Sequence, residues 1–142
     1  MEREILTYQI TTKQLKEELS FMVEYFSKKG IEKCTILFGY AWGIEYYPGN
    51  DWPDEEIELK NIISKVSEIE SSGIGGLGKD DFFVKLSGLE FRFCNDSDVH
   101  IYFSEPSDDI EFYYSRWKEL GYKPAEWIKN KEKGPGERVR FN

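Results

Sequence analysis

The chain has a single histidine, His100, and that limits the chemistry it can attempt. Asp96, Asp98 and His100 are spaced by two. That is the period of a strand, so all three would leave one sheet face, where they would suit a metal ion. The same segment, Asn95-Asp96-Ser97-Asp98, is built from residues that favour turns by hydrogen-bonding their own backbone. The turn reading takes precedence, and neither a metal site nor a cofactor is expected. Cys94 and His100 are the one pairing of a nucleophile with a histidine base. On adjacent strands across that turn they would be cross-strand neighbours. Asp96 and Asp98 would raise the thiol pKa, however, and no neighbouring residue would lower it. Carboxylate pairs such as Glu90 and Glu105 carry no specificity among 27 acidic residues. No catalytic residue is assigned.

Two further motifs lead away from chemistry. Gly73-Ile74-Gly75-Gly76-Leu77-Gly78 has the G-x-G-x-x-G spacing. A phosphate cradle needs a strand before the glycines and a helix after them. Here a helix precedes and a strand follows, with Asp80 and Asp81 placed to repel an anion, so the segment is a connector. The tail interleaves Lys123, Lys129, Lys131, Lys133, Arg138 and Arg140 with Tyr122, Trp127 and Phe141. Such patches hold single strands of nucleic acid by stacking and charge, but lysines also guard the edge strands of sheets. The edge-hairpin reading is preferred.

The binding constellation favoured by composition lies between these motifs. Tyr40, Trp42, Tyr46, Tyr47 and Trp52 adjoin Asp51, Asp54, Glu55, Glu56 and Glu58. Tyr and Trp dominate binding hot spots, while surrounding charge steers association. Tyr47 and Trp52 flank the Pro48-Gly49-Asn50 turn and are the rings expected to reach solvent. The expected partner-binding set is therefore Tyr47, Asp51, Trp52, Asp54, Glu55, Glu56 and Glu58.

The elements that would hold these residues follow from periodicity. Phe82 to Phe103 reads as a three-stranded antiparallel meander, parted at Ser87-Gly88 and at Asn95–Asp98. Phe91, Phe93, Val99, Ile101 and Phe103 share one face, leaving Arg92, Cys94, His100 and Tyr102 on the other. A helix opens at Thr11 or Thr12, with Leu15, Leu19, Val23 and Phe26 as its apolar stripe and Gly30 as its end. Cys34 to Tyr47 reads as a long bent strand or a hairpin breaking near Ala41 to Gly43. Asp51 to Glu56 resembles a helix start, with Pro53 in the first turn and carboxylates at the positive end of the macrodipole. Its stripe is Leu59, Ile62, Ile63, Val66 and Ile69, and Gly73 ends it. A third helix is capped at Asp108 and carries Ile110, Tyr113 or Tyr114, Trp117 and Leu120. Ala125 to Lys131 and Glu137 to Phe141 form a terminal hairpin. The expected fold class is α+β: an antiparallel sheet, made of the central meander plus an earlier strand region, covered by about three helices in one domain over residues 1–142.

Net charge is −8. Residues 1–115 hold 11 Lys/Arg against 23 Asp/Glu, whereas residues 116–142 hold 8 against 4. A body this acidic repels phosphate backbones, so nucleic acid is disfavoured as a partner. Cys34 and Cys94 make no Cys-x-x-Cys or Cys/His cluster, which argues against a structural zinc site. No apolar run approaches a membrane span and no export signal opens the chain, so a cytoplasmic protein without membrane attachment is expected.

The compact acidic α+β pattern, the segment Phe91-Arg92-Phe93-Cys94-Asn95-Asp96-Ser97-Asp98-Val99-His100 and a Trp-bearing helix before a short tail together resemble the small acidic immunity proteins of bacterial toxin–immunity systems. The resemblance implies a non-enzymatic cytoplasmic inhibitor that masks a cognate toxin domain, often a basic nuclease. It carries over no catalytic residue. The alternative is a small-molecule-binding or enzymatic domain, with Arg92, His100 and Tyr102 in a pocket between sheet and helices. A purely structural subunit would instead form a stable homo-oligomer.

Overall fold

A computed structural model describes residues 2–47, 49, 54–128 and 138–139. Its frame is one antiparallel sheet of eight strands in the order β3-β2-β4-β5-β6-β1-β7-β8. These are β1 (Arg3–Leu6), β2 (Lys33–Phe38), β3 (Glu55–Glu58), β4 (Phe82–Leu86), β5 (Leu89–Phe93), β6 (Val99–Phe103), β7 (Ala125–Ile128) and β8 (Arg138–Val139). The helices are α1 (Thr12–Lys28), α2 (Tyr40–Tyr46), α3 (Ile62–Ser72) and α4 (Asp108–Glu119). The α+β class is as expected, and the meander β4-β5-β6 lies at its centre. No helix among the described residues is long and apolar enough to cross a membrane.

Registration explains why the sheet has one greasy face. Ile36, Val84, Phe91, Ile101 and Ile5 are consecutive partners across five strands, and each is almost fully buried. Side chains alternate along a strand, so this row and its neighbours two residues away form a continuous apolar surface. Leu15, Leu19, Met22 and Phe26 of α1, Val66 and Ile69 of α3, and Tyr113 and Trp117 of α4 join the same core. Phe26 and Tyr113 meet Phe91 edge-on, with centroids 5.8 and 5.3 Å away, a favoured aromatic geometry.

Local chemistry sets the ends of the helices. Thr11 caps α1 in a full capping box with Gln14, which satisfies two otherwise orphaned backbone donors. Ser107 caps α4 through Ile110 N–H, one residue before the expected Asp108. The displaced carboxylates Asp108, Asp109 and Glu111 then lie in the first turn, where the macrodipole favours them.

Two expectations are corrected. Strand β2 stops at Phe38, and the short helix α2 replaces the second half of the expected strand or hairpin. The reason is close packing: Gly39 N–H donates to Asp81 O at 2.8 Å, and a Cβ on Gly39 would lie 2.6 Å from Asp81 Cβ. The chain turns there and buries Trp42 against Phe38 and Phe82. The second helix does not start at Asp51 to Glu56. Asp51, Trp52 and Pro53 lie outside the described residues, and Glu55–Glu58 is the edge strand β3, paired with β2. A single 3-10 turn over Leu59–Asn61 then leads into α3. Alternation along Glu55-Glu56-Ile57-Glu58 lets the strand pair at a solvated edge, where charged residues discourage further pairing.

Strand β1 was not expected from the sequence, yet it lies between β6 and β7. It joins the central meander to the C-terminal strands.

Candidate functional site

The face of the sheet opposite the apolar row gathers the polar residues of the meander. Arg92 and His100 are direct partners on β5 and β6. Beyond them the hairpin closes through Ser97 N–H to Cys94 O at 3.1 Å and Cys94 N–H to Asp98 O at 2.9 Å. Ser97 adopts φ 67, so the loop is a turn followed by a left-handed residue, a common three-residue hairpin closure. The extra residue keeps Cys94 and Asp98 opposite each other. Both therefore point to the face that carries Arg92, His100 and Tyr102. Asp81 anchors the loop from outside by accepting Asn95 N–H at 2.7 Å.

His100 is the centre of the cluster. Its Nδ1 lies 2.7 Å from Glu4 Oε1 and its Nε2 lies 3.0 Å from Asp98 Oδ2. Glu4 comes from β1, where it pairs with Tyr102, two residues from His100. All three side chains are buried. Burial alone would lower the imidazole pKa, but hydrogen bonds with Asp98, Cys94 and Glu4 outweigh it and push His100 up to about 12. Burial raises the Cys94 thiol above its ordinary value, with His100 opposing. Burial also acts upward on Asp98, yet the contacts with His100 and Asp96 hold it below its usual value. Asp96 is raised, chiefly by its hydrogen-bonding contact with Asp98.

This geometry settles how far the Cys94–His100 pair can serve as nucleophile and base. A base must have a free nitrogen and a nucleophilic thiol must ionise. His100 has a carboxylate against each nitrogen, and Cys94 is shifted away from the thiolate. As arranged, the pair is an ion-paired histidine beside a protonated thiol.

The set Arg92, His100 and Tyr102 is brought together, but not between sheet and helices, because the helices cover the other face. That part of the alternative reading is corrected. The polar groups of Arg92 and His100 are engaged by neighbouring carboxylates, and both side chains pack on Tyr102. Arg92 Nε donates to Glu90 at 2.5 Å, and its guanidinium stands 4.2 Å from the Tyr102 centroid and 5.0 Å from that of Phe83. His100 stacks on Tyr102 at 6.1 Å.

The acidic–aromatic set is rearranged. Tyr47 is 5% exposed and its hydroxyl accepts Phe38 N–H at 2.8 Å, so it is a core residue that satisfies the backbone where β2 ends. Asp51 and Trp52 lie outside the described residues. Asp54, Glu56 and Glu58 are exposed and Glu55 is half-buried. Lys85, Lys33 and Lys60 lie 3.4, 3.6 and 3.3 Å from Asp54, Glu56 and Glu58, and Lys65 lies 3.7 Å from Glu55. The solvent-facing rings and chains are those of α2 instead: Tyr40 is 74% and Ile44 51% exposed. They are four residues apart and share one helix face. Tyr46 at the end of α2 donates to Glu55 Oε1 at 3.0 Å, tying that helix to the acidic strand. In the tail, Tyr122 is buried and Trp127 half-buried, while Lys129, Lys131, Lys133, Arg140 and Phe141 lie outside the described residues.

Sequence reasoning missed Glu4. Its burial beside His100 depends on β1 lying next to β6, and the pairing of distant segments has no signal in local periodicity. No family model, no curated protein and no solved structure matches the chain.

Proposed function

We propose that the protein is a non-enzymatic binding protein of the immunity type, which inhibits a basic toxin domain such as a nuclease in the bacterial cytoplasm by covering it. The observation that carries this reading is a pair of exposed features on neighbouring elements, Tyr40 and Ile44 on α2 and the carboxylates Asp54, Glu56 and Glu58 along β3, with the Tyr46–Glu55 hydrogen bond tying helix to strand. An apolar anchor with a charged rim is the usual anatomy of a protein interface. The lysines beside those carboxylates do not oppose it strongly. Exposed pairs of this kind contribute about 0–1 kcal/mol, so a partner's Arg and Lys can replace them. The excess of acid over residues 1–115 supplies long-range attraction. The engaged state of His100 and the protonated Cys94 support a binding role over thiol catalysis.

The test is capture of a partner from bacterial lysate, followed by kinetics on the purified pair. The expected partner is basic, and its association slows steeply as salt rises. Asp54→Asn, Glu56→Gln and Glu58→Gln together slow association, while Tyr40→Ala with Ile44→Ala speeds dissociation by about tenfold or more. An acidic partner, or unchanged kinetics in both variants, rejects the reading.

A further inference from the structure

Nothing in the binding role requires the buried cluster around His100. We propose that Cys94, Asp98 and His100 form a site for a divalent transition-metal ion, zinc above all, with Glu4 as the carboxylate that orients His100.

Four observations converge. Cys94 Sγ, an Asp98 carboxylate oxygen and a His100 ring nitrogen all lie within 4.8 Å of one another. Zinc bonds of about 2.0–2.3 Å to N, O and S place tetrahedral ligands roughly 3–4 Å apart, so small side-chain rotations close the site. Second, Glu4 lies 2.7 Å from Nδ1, leaving Nε2 to face Asp98 at 3.0 Å. A carboxylate behind a histidine is the usual support for a metal-bound imidazole. Third, Asp98 is 8% exposed, and its buried Oδ1 has no hydrogen-bond donor among the described residues, its neighbour Asp96 being another carboxyl group. Buried polar atoms are rarely left so, and a cation would satisfy it. Fourth, Cys94 is already a hydrogen-bonding neighbour of His100, and as thiolate it is a strong zinc ligand.

The donor set selects the ion. Sulfur and imidazole nitrogen with one carboxylate suit zinc or cobalt, while magnesium and calcium prefer shells made of oxygen. Binding replaces the protons on Nε2 and Sγ, which leave to solvent. Access runs through the hairpin loop, where Asn95 and Asp96 are exposed. Asp96, in contact with Asp98, stands at the mouth, and solvent completes the coordination shell.

The experiment is titration of the tag-free full chain with cobalt(II), read by absorbance, then displacement by zinc. The expected result is one ion per chain, a thiolate-to-cobalt charge-transfer band and strong four-coordinate visible bands. Cys34→Ser retains the spectrum, Cys94→Ser loses the charge-transfer band, and Glu4→Gln keeps the band but weakens affinity about 10–100-fold. In the wild-type protein, which needs no substitution to fold, zinc protects Cys94 from alkylation without changing Cys34. Absence of the band with cobalt in excess, its survival in Cys94→Ser, or unaltered Cys94 labelling overturns the proposal.

Discussion

Glu18 provides a sharp test of how the helix layer is held together. It lies on α1 at 2% exposure, and its Oε1 accepts Arg116 Nη1 and Trp117 Nε1 from α4, both at 2.7 Å. Trp117 is wholly buried. Glu18→Ala leaves its indole N–H without an acceptor, a loss of about 1–3 kcal/mol. Breaking a buried ion pair from one side costs about 3–5 kcal/mol. The Arg116 side chain is 19% exposed and lies 3.7 Å over the Phe21 ring, so it recovers some hydration and keeps a favourable contact. These contributions overlap, and the expected total is about 3 kcal/mol, a large share of a typical domain's 5–15 kcal/mol. Glu18→Gln retains a neutral acceptor for Trp117 and should lose only about 1–2 kcal/mol. Urea unfolding followed by tryptophan fluorescence measures both, and a Glu18→Ala/Arg116→Ala cycle isolates the pair. A loss below about 1 kcal/mol for Glu18→Ala, or a Gln variant as damaged as the Ala variant, would refute the reasoning.

Three other perturbations have defined outcomes. A Cβ at Gly75 would lie 2.6 Å from Trp42 Cβ and 2.7 Å from Cε3. Trp42 is fully buried and cannot retreat, so Gly75→Ala should destabilise by about 1–3 kcal/mol. A Cβ at Gly76 meets nothing nearer than Glu70 Oε2 at 3.6 Å, and an equal effect of Gly76→Ala in the same urea assay would contradict this account. Burial acts upward on Asp109, but hydrogen bonds from Lys29 and Tyr25 leave it below its ordinary 3.8. A depressed folded value means that the unfolded chain binds the proton more readily. The stabilisation is thus complete above about 3.8 and fades as pH falls through the folded value. The stability gap between wild type and Asp109→Asn should narrow on acidification, whereas a gap constant from pH 7 to 2 would argue against the pair. Burial pushes the Cys34 thiol up to about 11, so iodoacetamide at neutral pH should label Cys34 in urea and leave it unmodified in the folded chain, as read by mass spectrometry.

What the sequence determined by itself was local in origin. The alternation of Phe91, Phe93, Val99, Ile101 and Phe103 needs only the two-residue period of a strand, and the stripe of α1 only the helical pitch. The capping box at Thr11 and the left-handed end at Gly73 rest on contacts within a few residues. Those features, and the α+β class, were legible. Helix α2 was not, because aromatic-rich Tyr40–Tyr46 has strand propensity. Its helical state comes from Gly39 and Trp42 fitting against Asp81, some forty residues away. Tyr47 looked like a surface ring beside a turn, yet its hydroxyl is drawn inward by Phe38 N–H. The cluster was half legible. Cys94, Asp98 and His100 stood near one another in the chain, but only the left-handed Ser97 puts the first two in phase across the hairpin. Glu4 enters from the other end of the sequence because β1 pairs with β6. Strand pairing is a long-range choice, made by burying a shared apolar row, and it also decides which polar side chains meet on the opposite face.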